Sequence, residues 1–181
     1  MRLLVLLSIF VLSVAWNPFK PNMSSGGFYS LKEKSATGKT IDFSKEFTGK
    51  VVYGVNVASR WGATGRGYQL LKELASTDGV AVALFPCGQF GGQELANDVD
   101  IVEFAKGKLG LSSTDGPDAY VFTKQDINGP NACETYKTVK AESGMGDPGW
   151  NFKGNFVVDR TGKIQAVGDM GKVEGIVKGL L

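Results

Sequence analysis

Two runs of consecutive apolar residues, Val51-Val52-Tyr53-Gly54-Val55-Asn56-Val57 and residues 80–85 (VAVALF), constrain this chain more than any other feature. A strand with one face in water alternates polar and apolar side chains. A near-continuous apolar, β-branched run means that both faces are covered, as in a central parallel strand flanked by helices. Between the runs, after a turn at residues 62–67, Tyr68, Leu71, Leu74 and Ala75 recur at helical spacing. Strand, helix and strand make a βαβ unit with residues 51–57 at its centre.

The remaining pattern extends that unit. Residues 98–108 carry Val99, Val102 and Ala105 on one helical face, residues 119–122 read as a third strand, and Tyr136 with Val139 marks a helix after it. Residues 156–158 and 164–167 surround Asp159-Arg160-Thr161-Gly162, a hairpin turn, and Val173, Ile176, Val177 and Leu180 give a closing amphipathic helix. Near the start, residues 28–31 and 40–43 flank Thr37-Gly38-Lys39 as two short strands of a hairpin. The expected fold is α/β: a mixed central sheet with flanking helices and an N-terminal β-hairpin, which is the thioredoxin-like arrangement. A chain of 181 residues is long enough for one such core and too short for two ordinary domains. The domain is expected over residues 28–181.

Residues 1–15 read as a signal peptide: Arg2, an apolar run over residues 3–12 too short to span a bilayer, and the small residues Ser13-Val14-Ala15. Residues 16–27 read as a flexible linker or a second targeting segment, with Lys20, Ser24 and Ser25 and no acidic residue before Glu33. The expected destination is the secretory pathway or the exterior, with a plastid reached through a bipartite leader as the alternative. On a secretory route Asn22-Met23-Ser24 is a glycosylation sequon; Met23 is also an alternative start.

A net charge of +2 with no Lys/Arg cluster argues against a nucleic-acid partner. The absence of histidine removes Ser-His and Cys-His nucleophiles and every His-containing metal site. Gly38-Lys39-Thr40 is half a phosphate loop, but Glu33 stands where its first glycine belongs and the next residues are strand-like, so nucleotide binding there is rejected. Cys87 and Cys133 read as two separate packed thiols too far apart to bridge, and no Cys-x-x-Cys exists for dithiol chemistry.

Three segments then stand in order: Val55-Asn56-Val57-Ala58-Ser59-Arg60-Trp61-Gly62-Ala63-Thr64, Phe85-Pro86-Cys87-Gly88-Gln89-Phe90-Gly91-Gly92-Gln93-Glu94, and Trp150-Asn151-Phe152. With Asp126-Ile127-Asn128-Gly129 between them, the chain resembles the glutathione peroxidase family, in particular its monomeric phospholipid-hydroperoxide and plant-like members. The resemblance implies thiol-dependent reduction of hydrogen peroxide and of organic or lipid hydroperoxides. It implies no prosthetic cofactor, with glutathione or another thiol as reducing co-substrate. It places the peroxidatic selenocysteine or cysteine at Trp61 and surrounds it with donors from Gln93, Trp150 and Asn151. Taken singly, a tryptophan before Asn-Phe is commonly core and a glutamine in a glycine-rich loop is commonly solvated; it is their joint occurrence that points to one pocket.

Four departures qualify the resemblance. An indole has no ionisable proton near neutral pH, so Trp61 cannot serve as the nucleophile. Two readings stay open: the UGA codon of selenocysteine, which some genetic codes translate as tryptophan, and a genuine Trp61 in a catalytically inactive binding or assembly protein. Lys106 stands near the position of the resolving cysteine of thioredoxin-dependent members, which favours glutathione or general thiols as reductant. Gly88 replaces the usual asparagine of the second motif. The chain between Phe122 and Trp150 is too short for the assembly loop of tetrameric members, which implies a monomer.

Overall fold

The computed structural model describes residues 26–181, so the expected signal peptide over residues 1–15 and nearly all of the expected linker over residues 16–27 lie outside the described residues. The central sheet has five strands in the order β5-β4-β3-β6-β7. β3 (Val51–Val57) is its middle strand, parallel to β4 (Val80–Pro86) and antiparallel to β6 (Asn155–Val158). β5 (Ala119–Val121) continues the parallel side, and β7 (Ile164–Val167) pairs with β6 through the expected hairpin. Every residue of β3 and β4 is buried, as the unbroken apolar runs require.

The sheet separates two unlike layers. On one side Val51, Tyr53, Val55 and Val57 of β3 meet α2 (Thr64–Ala75), α3 (Asp98–Leu109) and α5 (Val173–Leu180) in a largely aliphatic core. On the other, Phe28, Phe43, Phe47, Phe85, Phe122, Tyr136 and Phe156 form an aromatic layer under α1 (Phe43–Glu46) and α4 (Glu134–Ser143). Gly54 of β3 exists for this layer: a Cβ there would lie 2.1 Å from Phe156 Cζ.

Two expectations are corrected. Residues 28–31 do not form the first hairpin strand; Phe28–Ser30 is a 3₁₀ turn that plants Phe28 and Tyr29 in the aromatic layer, and the hairpin pairs β1 (Lys32–Lys34) with β2 (Thr40–Asp42). Helix α3 is rotated from the expected face. Ile101, Ala105 and Leu109, spaced by four, are buried with Val102, whereas Val99 is 72% exposed.

The hairpin covers the sheet's edge through a single antiparallel bridge, Ser35 opposite Phe122: Ala36 donates its N–H to the Val121 carbonyl at 2.9 Å and Thr123 to that of Lys34 at 2.9 Å. Glu33 also reaches α4, accepting from the Thr135 N–H at 3.0 Å and hydroxyl at 2.8 Å, which caps a helix whose own N-cap residue, Cys133, is at best a weak sulfur acceptor. Among the described residues no helix is long and apolar enough to cross a membrane.

Candidate active site

Three loops meet beyond the C-terminal end of β3. The first runs from β3 into α2 and holds residue 61 three positions ahead of the helix. Thr64 closes it, donating its N–H to the Trp61 carbonyl at 3.0 Å and its hydroxyl to that of Ala58 at 2.6 Å. No side chain caps α2, so the positive end of the helix is left toward this turn. The Trp61 indole is half-buried and stacks on Phe152, with ring centroids 5.5 Å apart and planes 26° apart.

The second loop leaves β4. Gly91 and Gly92 both take positive φ, 67° and 62°, which reverses the chain and turns residue 93 back toward the first loop. Arg60 donates its backbone N–H to the Gln93 carbonyl at 2.9 Å. Glu94, 3% exposed, adds a staple: its Oε1 accepts from the Ser59 N–H at 3.1 Å, the Ser59 hydroxyl and the Leu95 N–H at 2.7 Å. Burial nevertheless pushes this carboxyl above its ordinary range, against those bonds and the nearby Lys124 charge. Lys124 donates to the Leu95 carbonyl at 2.9 Å, and a Cβ at position 88 would lie 3.0 Å from Lys124 Cε. Gly88 therefore leaves space for this lysine.

The third loop carries Trp150, Asn151 and Phe152. Asn151 is wholly buried and donates to Gln93 Oε1 at 2.7 Å and to the Phe90 carbonyl at 3.5 Å. Its effect falls on Gln93: with the amide oxygen engaged by Asn151, the Gln93 NH₂ is the end left to donate. Trp150, 42% exposed, leans on Phe90 at 6.2 Å. Its ring edge and the Gln93 stem flank the same glycine, since a Cβ on Gly91 would lie 3.7 Å from Trp150 Cη2 and 3.6 Å from Gln93 Cγ. Phe152 has φ 58°, rare for a bulky residue, and fits because Gly67 of α2 leaves space for its ring; a Cβ there would lie 2.3 Å from Phe152 Cε1.

Trp61, Gln93, Trp150 and Asn151 thus come from three loops to one end of the sheet. Asn151 differs from its expected part, because its N–H groups serve Gln93 and Phe90 rather than residue 61. Sequence reasoning assigns nothing to Asn56, Glu94 or the backbone of Phe152. Asn56 carries a signal, being the one polar side chain inside an otherwise apolar run that is buried on both faces, and such a group must find partners.

The two cysteines are free; Cys87 is buried in the aromatic layer and Cys133 packs against it. Burial pushes both thiols up, that of Cys133 to about 12 with the Cys87 charge among the lesser causes. Neither has the surroundings of an attacking thiolate.

A family model described as glutathione peroxidase matches residues 28–140, a span that holds position 61 and Gln93. Glutathione peroxidase 1, mitochondrial, of Chlamydomonas reinhardtii is 39% identical over 150 residues, covering 80% of this chain and 71% of that protein. A probable phospholipid hydroperoxide glutathione peroxidase of Mesembryanthemum crystallinum is 39% identical over 137 residues, 72% of this chain and 76% of the relative. The fold is similar to the crystal structure of Trgpx in apo form, with a TM-score of 0.61 at 26% identity over 87% of this chain and 96% of that one. Sheet order, the three converging loops and these likenesses agree: the chain belongs to the glutathione peroxidase family.

Proposed function

We propose that the protein reduces hydroperoxides with thiols, its reacting atom standing at position 61. The observation that carries this reading is the Gln93 amide, whose oxygen is engaged by Asn151 at 2.7 Å and whose backbone carbonyl binds the residue just before position 61 at 2.9 Å. Its free NH₂ and the Trp150 indole N–H are donors for an anion at that position. A selenolate or thiolate there attacks one oxygen of ROOH; the O–O bond breaks, the leaving RO⁻ takes a proton to become ROH, and residue 61 is left at the selenenic or sulfenic level. One thiol condenses with it, releasing water and leaving a mixed disulfide or selenosulfide. A second thiol, having lost its proton, attacks the outer sulfur of that bond, so that the two thiols leave as their disulfide and residue 61 departs as the anion with the bonding pair, the two thiols having supplied the two electrons that reduced the peroxide.

An indole cannot perform that first step, so position 61 is read as the selenocysteine codon rendered as tryptophan. No prosthetic group is needed, and Lys106 in place of a resolving cysteine favours glutathione or another small thiol. The half-open rim at Trp150 suits a bulky lipid hydroperoxide, the substrate named for the Mesembryanthemum relative, and the chain is read as a monomer. Residues 1–27 are read as a removable leader and linker. The mitochondrial name of the Chlamydomonas relative makes an organelle a destination to test beside secretion.

Mass spectrometry of the native protein reads residue 61 and the mature N-terminus together. Selenium at 61 is the expected result. In parallel, Trp61→Cys should create thiol-dependent hydroperoxide consumption that the tryptophan form lacks. A native tryptophan together with an inactive but folded Trp61→Cys would turn the site over to a binding or assembly role, and activity in the tryptophan form would mean that the nucleophile lies elsewhere.

A further inference from the structure

We propose that Asn56 is a positioning residue for this site: from the central strand, its buried amide sets where Trp150 stands relative to residue 61. Asn56 is 0% exposed and lies on the aromatic side of β3, where Phe85, Tyr136 and Phe156 pack and an apolar side chain would satisfy the core alone. Its Nδ2 donates to the Trp150 carbonyl at 3.1 Å, its Oδ1 accepts from the Gly154 N–H at 2.7 Å, and its backbone carbonyl accepts from the Phe152 N–H at 3.0 Å. Residues 150, 152 and 154 are thereby fixed to a single residue.

The pivot has little freedom. Tyr136 donates its hydroxyl to the Gly154 carbonyl at 2.7 Å from the far side, and a Cβ on Gly154 would lie 2.8 Å from the Tyr136 ring and 2.9 Å from Asn56 Oδ1. The strand that carries Asn56 also leads into the turn bearing residue 61, so one rigid element references both the reacting position and the donor loop. The other end of that loop is tied separately: Tyr53 donates to Asn155 Oδ1, and Asn155 Nδ2 donates to the Phe152 carbonyl at 2.7 Å. Tyr53 therefore serves as the control for loop stability without a part in placing Trp150.

This inference rests on the peroxidase reading, and the test separates the two. In the chain as it stands, labelled with 5-fluorotryptophan, the ¹⁹F line of Trp150 is followed after Asn56→Asp, which keeps the acceptor and loses the donor, and after the neutral Asn56→Ser. In whichever variant folds, the Trp150 line should move or broaden while the Trp61 line changes less. A Trp150 line unchanged in position and width overturns the proposal. In the Trp61→Cys chain, adding Asn56→Asp should lower hydroperoxide turnover at least about tenfold, whereas adding Tyr53→Phe should leave it within about twofold despite a lower melting temperature. Equal losses from both would reduce Asn56 to a general stabiliser and also overturn it. If Trp61→Cys turns nothing over, the native residue found at position 61 decides the peroxidase reading and the fluorine lines alone decide the role of Asn56.

Discussion

The two loops that bring donors toward residue 61 are held by opposite means. The Trp150 loop is pinned by neutral groups, Asn56, Tyr136 and Asn155, in a space with no room for one more carbon at Gly154. The Gln93 loop is open at Gly92, where nothing lies within 4 Å of an added Cβ, and is turned by two glycines at positive φ and stapled by a buried carboxylate. The first arrangement is sterically exacting and indifferent to pH. The second tolerates bulk, resists a change of backbone, and titrates. One site therefore carries two separate vulnerabilities.

The largest expected effect breaks the crowded side. Gly154→Ala drives a methyl into Tyr136 and Asn56 and should cost about 3 kcal/mol, read as a fall in the denaturant midpoint at unchanged slope. A loss within the error of the measurement would show that the loop can yield. On the open side Gly92→Ala meets no atom but forces alanine to φ near 62°, and should cost about 1 kcal/mol. A cost equal to that of Gly154→Ala would erase the distinction.

The smallest effect is one of slope. Burial raises the Glu94 carboxyl above its ordinary value of 4.5, so the folded chain holds that proton more tightly than the unfolded chain does. The associated stability is fully present below 4.5 and is lost as the pH rises through the folded value. Glu94→Gln should therefore show a flatter dependence of unfolding midpoint on pH, from 4.5 upward, than the parent. Equal slopes would mean that another group titrates there.

The range of the interactions decides how much of the molecule is legible in its sequence. β3 and β4 are legible because burial on both faces imposes a local signature, an unbroken apolar run. Residues 28–31 mimic a strand because Phe28, Tyr29 and Leu31 look the same in a strand and in a 3₁₀ turn; the distinction lies in the aromatic partners they reach, which are remote in sequence. Val99 mimics a core residue because spacings of three and four from Val102 both satisfy helical periodicity, and packing chooses the stripe through Ile101. At the site, the motifs name the donors through resemblance, but the engagement of Asn151 with Gln93 and the staple of Glu94 on Ser59 bridge 58 and 35 positions. No local pattern encodes such pairs.

Every hydrogen bond described above that fixes the donors runs between residues other than 61; that position contributes its carbonyl, which accepts from Thr64, and an indole stacked on Phe152. Position 61 is thus an interchangeable part in an otherwise self-supporting frame. A lineage that recoded or lost this single residue would keep a folded protein. Selection for folding alone would not register the loss; only selection for the chemistry would.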